Sequence, residues 1–299
     1  MSRRHSLMLV ALAALWGASF MFIKVGVREL APGTLICFRL ALGTLTLLPV
    51  ALLRVGPREL GRSLRGAAGP LVLVALLNSA LPITLLAWGE KRVDSGLAAV
   101  IQASAPLFTA LLALRFSRRE VVAGSRLVGL VVGFGGVALL VGVQPSGDIL
   151  SALAITFTAF SYAVAALYSA RALADLQPLV TAVGALGSAT LMLAPFAVAS
   201  PPHGVPGWKV TASLLVLGIL GTGVAYVLYY ALLAGAGASQ SILITYLVPA
   251  FALAYGAILL GEPLTVAAVF GLALVLGGVA LGTGVARPLR RRAPIASSP

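Results

Sequence analysis

Ten apolar stretches follow one another with short linkers and take up nearly the whole chain. A membrane-spanning helix needs roughly 20 mainly apolar residues. The stretches read as segments 1 to 10 at 7–27, 33–53, 70–89, 95–114, 126–143, 149–170, 178–198, 210–231, 238–259 and 264–285. No linker is long and polar enough to fold as a soluble domain. Composition supports this: 60% of the residues are hydrophobic and 10% are charged, so there are too few charges to cover a water-facing surface. The expectation is an all-α integral membrane protein with ten transmembrane helices in the lipid bilayer.

A net charge of +13 suggests nucleic acid at first, but its distribution argues for topology instead. Arg3 and Arg4, the linkers after segments 2 and 4, Arg171 and the tail with Arg287 and Arg290 to Arg292 fall on one side. The opposite linkers carry only Arg28, Lys91, Arg92 and Lys209. Cytoplasmic loops keep the excess of Lys and Arg. Both termini are therefore expected in the cytoplasm, in a multi-pass protein of the cell (inner) membrane, with no nucleic-acid partner. The start, "MSRRHSLMLVALAALWGAS", mimics a signal peptide. Its apolar run continues to Ile23, so it is expected to stay as the first span. The lone cysteine, Cys37, excludes an intramolecular disulfide.

The two halves are related. "GGVAL" stands at Gly135 to Leu139 and again at Gly277 to Leu281. The match widens: Glu120 falls on Glu262, Gly129 on Gly271 and Gly142 on Gly284 at an offset of 142, and Pro106 on Pro249 at 143. Segments 1–5 thus repeat as 6–10, which divides the chain into 1–145 and 146–299. Five crossings leave the chain on the far side of the bilayer, so the second unit must run upside down. Inverted-topology repeats give a carrier two near-mirror states, one open to each side.

The sequence resembles the EamA-type members of the drug/metabolite transporter superfamily. The residues that carry the resemblance are "ALWGASFMFIKVG" (Ala14 to Gly26), "APGTLICFRLALGTLTLLP" (Ala31 to Pro49), "GEPLTVAAVFGLALVLGGVAL" (Gly261 to Leu281) and a weaker twin around Glu120. Glu120 is followed by Val121 rather than proline, a departure from the motif. The resemblance implies a ten-helix secondary transporter with two inverted repeats, commonly an exporter of amino acids or other small metabolites.

Such carriers bind solute near the midplane, where the repeats meet. Large polar or aromatic-polar side chains close to segment centres single out Trp16 and Ser19 (segment 1), Asn78 (3), Gln102 (4), Tyr162 (6), Thr222 and Tyr226 (8) and Tyr246 (9) as a candidate substrate cavity. These six segments pair as 1/6, 3/8 and 4/9 under the repeat. Asn and Gln in hydrocarbon also serve as bonds between helices, and Trp16 and Tyr162 could equally be packing residues. Tyr229, Tyr230 and Trp88, nearer segment ends, are expected in the interfacial belt. Pro106, Pro249 and Pro82 are candidate helix breaks, since each removes an N–H from its helix. Gly129/Gly133 and Gly278/Gly282 have the small-xxx-small spacing of close helix contacts. That points to scaffold or to a possible homodimer.

Only Lys24 and Arg39 are charges inside segments. Lys24 is expected to snorkel outward. Arg39 lies about 9 Å deep at 1.5 Å per residue and needs a partner. Glu90, Asp94 and Glu262 share its side, and a pair with Glu90 is expected, as a gate or as a brace. No carboxylate falls within a segment interior, so a dication is not the expected cargo. A neutral or zwitterionic, partly apolar solute is. Proton coupling would have to use a boundary acid such as Glu90. There is no metal-ligating cluster, cofactor motif, P-loop or catalytic constellation, so no metal, cofactor or enzyme activity is expected. The alternatives are a passive channel or a non-transporting membrane assembly protein.

Overall fold

The computed structural model describes residues 2–116, 124–142, 148–202, 204–241 and 243–282. Among these the secondary structure is entirely helical. Segment 1 is α1 (Arg3–Gly26) and segment 2 is α2 (Pro32–Val55). A short helix, α3 (Pro57–Gly66), follows in what the sequence presents as a linker. Its signals are ordinary: proline at the start, Glu59 in the first turn, Arg65 in the last and Leu60 buried. Segment 3 joins α4 (Ala68–Ala75), a π-helical turn (Leu76–Ala80) and α5 (Leu81–Gly89). Segment 4 is α6 (Ser95–Gln102) and α7 (Ala105–Phe116), and segment 5 is α8 (Gly124–Gly142). Segments 6 and 7 are α9 (Ile149–Ala172) and α10 (Pro178–Ala199). Segment 8 joins α11 (Trp208–Leu215), a longer π-helical stretch (Val216–Val224) and α12 (Ala225–Ala236). Segment 9 is α13 (Ala238–Ser241) and α14 (Ile244–Leu260), and segment 10 is α15 (Val266–Gly282).

Seven of the ten segments are long and apolar enough to cross a membrane. Segments 5, 9 and 10 hold shorter apolar helices, Leu127–Gly142, Ile244–Leu260 and Val266–Leu281. The outer surface is correspondingly greasy: Leu53, Leu191, Ile258 and Val266 stand largely exposed, a pattern that suits a surface facing lipid tails. The chain is a multi-pass membrane protein.

The packing repeats with the sequence. Segment 5 lies on segment 10, and 2 on 7. Segment 1 packs on 9 as 6 does on 4, 2 on 8 as 7 on 3, and 3 on 6 as 8 on 1. Exchanging the halves carries each of these pairings onto another of them. The duplicated "GGVAL" explains itself here. A Cβ on Gly136 would meet the Leu274 Cβ at 2.8 Å, and one on Gly278 would land on the Gly133 backbone. The glycines form the seam between segments 5 and 10, so this small-residue stripe is covered within one chain. It offers no surface for the homodimer that the spacing suggested.

Linkers 1–2, 3–4, 7–8 and 9–10, with Asp148 just before α9, gather at one end of the bundle. Glu29 accepts a bond from Gly207 N–H at 2.8 Å, and the Thr34 hydroxyl donates to Ser200 O at 2.9 Å. Arg92 Nε lies 3.1 Å from Asp148 Oδ2, and Glu262 meets Ser95 and Gly96. We call this the linker face, and the opposite end, where α1 begins, the terminal face.

Candidate functional site

Segments 1, 3, 4, 6, 8 and 9 enclose most of a cavity of about 830 Å³, with Arg39 and Leu40 of segment 2 adding to its wall. Pockets for small organic ligands run to about 300–1,000 Å³. The cavity reaches from Ile23 and Leu86, one turn short of the linker face, to Ala113, Leu233 and Ser241 near the terminal face. Beyond Ile23 and Leu86 the bundle is shut. Leu30, Glu90, Val93 and Ser95 are buried there.

Seven of the eight expected residues meet on this wall: Trp16, Ser19, Asn78, Gln102, Tyr162, Thr222 and Tyr226. Tyr246 does not, and packs instead against the apolar core. The reason is helical phase. Segment 9 presents Ser241, Ile244, Thr245, Val248 and Pro249 to the cavity, a stripe at i, i+3, i+4, i+7 and i+8. Tyr246 stands about 130° round the helix from the middle of that stripe.

Several wall residues also tie helices together. The Thr158 hydroxyl of segment 6 bonds Gln102 Oε1 of segment 4, leaving Gln102 Nε2 buried without a partner. Asn78 of segment 3 and Tyr226 of segment 8 line the same wall. Ser19 Oγ is satisfied locally, donating to Leu15 O at 3.1 Å. Tyr229 lines the cavity 5.5 Å from the Trp16 ring, and Thr109 and Thr245 line it too. Tyr229 is thus no belt residue. Its spacing of three from Tyr226 was the available signal, since both then share a helix face.

The irregular backbone clusters around the same wall. Asn78 sits in the first π-helical stretch, and Gly221 and Thr222 in the second. The two stretches fall at matched places in segments 3 and 8 under the 143-residue offset. Wider π turns re-aim side chains and often mark functional sites. Pro106 and Pro249 both line the cavity. Segment 4 does break, at Ala103–Ser104, just before Pro106. Pro249 lies inside α14 rather than at its break, which comes between α13 and α14. Pro82 marks no break. It stands at the start of α5 just past the π turn, whose Leu81 N–H bonds Leu76 O, so the helix runs on through it.

The expected Arg39–Glu90 pair is not made. Arg39 Nε donates to Thr222 Oγ1 at 3.1 Å, and the Thr222 hydroxyl donates on to Leu217 O at 2.9 Å. Glycines permit this approach of segment 2 to segment 8: a Cβ on Gly43 would meet the Thr222 Cβ at 2.9 Å. Glu90 is fully buried, outside the cavity wall, and neither carboxyl oxygen has a hydrogen-bond partner. Burial pushes its carboxyl well above the usual carboxylate range. The Lys24 charge lowers it, Glu262 raises it further, and Arg39 contributes a weaker lowering. Lys24 does not snorkel. Its Nζ turns inward and donates to Glu90 O at 2.6 Å and Val93 O at 2.9 Å. A helix end leaves its last carbonyls unsatisfied, and a lysine is well suited to them. Glu262 does the converse job at the start of α6. It accepts from Ser95 N at 2.8 Å, Ser95 Oγ at 2.9 Å and Gly96 N at 3.1 Å. Its counterpart by sequence, Glu120, lies outside the described residues.

A helical membrane bundle of two matched halves, hollow at its centre and shut at one end, is the architecture of a membrane transporter. The EamA-like transporter family matches residues 4–142 and again residues 149–283, and the chain belongs to that family. Among its relatives is an uncharacterized transporter of Archaeoglobus fulgidus, 28% identical over 88% of this chain and 93% of its own length. The uncharacterized inner membrane transporter YedA of Escherichia coli K12 is 31% identical over 72% of this chain and 67% of its own. A probable terminal-alkyne amino-acid exporter of Streptantibioticus cattleyicolor is 29% identical over 91% of each. A solved crystal structure of a protein superposes with a TM-score of 0.68 over 96% of this chain and 100% of its own. At 18% identity that likeness is one of fold.

Proposed function

We propose that the chain is a secondary transporter that carries small neutral or zwitterionic, partly apolar metabolites, amino acids or their relatives, by alternating access. The observation that carries this reading is the one-ended cavity: a polar-aromatic hollow between two matched halves, shut at the linker face and extending to the terminal face. In this reading all ten segments cross the bilayer, and 1–145 and 146–299 are inverted repeats. The terminal face, with the arginines of the tails and even-to-odd linkers, is cytoplasmic. The structure is then the inward-open state, and the matched halves supply a mirror state open outward. The printed name of the Streptantibioticus relative favours amino-acid cargo and export.

The sealed linker face argues against a passive channel. Counterflow in proteoliposomes separates the two. A carrier preloaded with unlabelled solute concentrates labelled solute transiently, and a channel only equilibrates it. Equilibration without overshoot for every solute that permeates would end the carrier reading.

A further inference from the structure

Arg39 is a cation in the cavity wall with no carboxylate close enough to pair with it. The residue is 9% exposed and forms part of the wall, on the linker-face side of the cavity with Ile23 and Leu86. Its one hydrogen bond uses Nε and a neutral acceptor, the Thr222 hydroxyl. Among the described residues no carboxylate lies within ion-pairing distance. Glu29 is engaged with Gly207, Glu262 with the start of α6, and Asp148 with Arg92 and Ser151. Glu90, the nearby acid, stays off the cavity wall with unpartnered oxygens. A guanidinium at hydrocarbon depth is costly unless paired. Its planar fork suits a carboxylate held by two parallel bonds, and the Nε bond to Thr222 leaves the terminal nitrogens for that purpose. Groups that could complete a carboxylate site share the wall: Asn78 offers an amide and Tyr162 and Tyr226 offer hydroxyls.

We infer that Arg39 is the anion-binding residue of the cavity and that the transported solute carries a carboxylate, which docks at the closed end of the hollow with its apolar part toward Trp16 and Tyr229. This rests on the carrier reading and narrows it: of neutral and zwitterionic solutes, those with a free carboxylate are the cargo class.

The test is binding to the purified full chain in lipid nanodiscs, by calorimetry and thermal shift. The probes are L-phenylalanine, L-leucine and L-methionine, each beside its carboxamide and its decarboxylated amine. At least one acid should bind about tenfold or more tighter than both of its partners, as expected for loss of a charge-assisted bond. R39Q should erase that difference, R39K should keep part of it, and T222V should weaken it by releasing the guanidinium. Gln is easier to bury than Arg, so R39Q is not expected to hinder folding, and its melting curve and elution volume verify that. The inference falls if no acid is preferred to its amide and amine, or if R39Q leaves the preference intact. Counterflow with the same probes keeps the two ideas separate. Exchange indifferent to the carboxylate leaves a carrier without this anchor. Carboxylate-selective binding without exchange leaves the anchor without a carrier.

Discussion

The two ends of the bundle hold the same helices together in different ways. At the linker face, side chains reach across to backbone groups of other elements: Lys24 to the Glu90 and Val93 carbonyls of the turn after segment 3, Glu262 to the amides that begin segment 4, Glu29 to Gly207. Towards the terminal face the cavity wall includes Ala105, Thr109, Ala110, Ala113, Ala166 and Leu233, short or apolar side chains with little to grip. Among the described residues the linker face is thus held by discrete polar bonds to backbone groups, while the cavity wall toward the other end is lined mainly by small or apolar side chains. A few changes at the linker face should shift the balance between states, and the same number at the terminal face should not.

The largest effect belongs to Glu262. Its carboxylate accepts three bonds from the first residues of α6, where orphan amides and the helix dipole favour an anion. Hydrogen bonds to a charged group are worth about 1.5–3 kcal/mol each. E262A should raise access to the linker face about tenfold or more. A cysteine at the buried Val93, in a C37S background, reports this through the rate of modification by an impermeant maleimide. Unchanged labelling would mean that apolar packing alone holds this end shut. Lys24 comes next, with two bonds. K24M should raise the same rate by a smaller factor, about threefold to tenfold, for the loss of bonds to neutral carbonyls.

Why some of this was legible in the sequence and some was not follows from the kind of partner involved. Polar side chains at hydrocarbon depth are costly and so conspicuous, and Asn78, Gln102, Tyr162, Thr222 and Tyr226 could be read as cavity residues from position along their segments. Position along a helix does not give rotation about it, and Tyr246 fails for that reason. Arg39 announced its need for a partner, but the partner, a hydroxyl on a π-helical stretch, could not be guessed by matching charges. Lys24 and Glu262 bond to backbone, which every residue has and no letter marks. The π-helical stretches likewise carry no residue signature, although the 143-residue offset now shows them as a pair. The helix α3 was readable and passed over, its Pro57, Glu59 and Arg65 being standard end signals.

Acidity sharpens the contrast between the ends further. Glu90 is raised by burial in the closed linker face, and in the proposed carrier cycle it would return towards an ordinary carboxylate when that end opens. An acid raised in one state binds more protons there, so low pH favours the closed state. The advantage is lost as pH climbs from the ordinary carboxylate value, about 4.3, up to the raised one. Asp94 is raised too, mainly by its partial burial and then by Glu262, with Lys24 lowering it, and it acts in the same direction. Asp148 is lowered, chiefly by its bond from the Ser151 amide, and its contribution is confined to still more acid conditions. Labelling at Val93→Cys, expressed at each pH relative to the same cysteine in unfolded protein so that thiolate ionisation cancels, should therefore rise severalfold between pH 5 and pH 8, and E90Q should flatten most of that rise. A profile that E90Q leaves untouched would assign the titration elsewhere.

The smallest effect should come from the bond that looks most like a lock. Arg92 and Asp148 make the one ion pair across the linker face among the described residues, with Trp88 beneath the guanidinium at 5.9 Å. Yet the Arg92 side chain is 59% exposed, so water and salt screen its charge, and exposed pairs of this kind contribute little. R92A should change Val93→Cys labelling by about twofold at most, and the difference should vanish in high salt. The backbone-directed bonds of Lys24 and Glu262 are part-buried, and their effect should survive the same salt. If R92A instead opened this end as far as E262A does, closure would depend on surface charge rather than on satisfied helix termini.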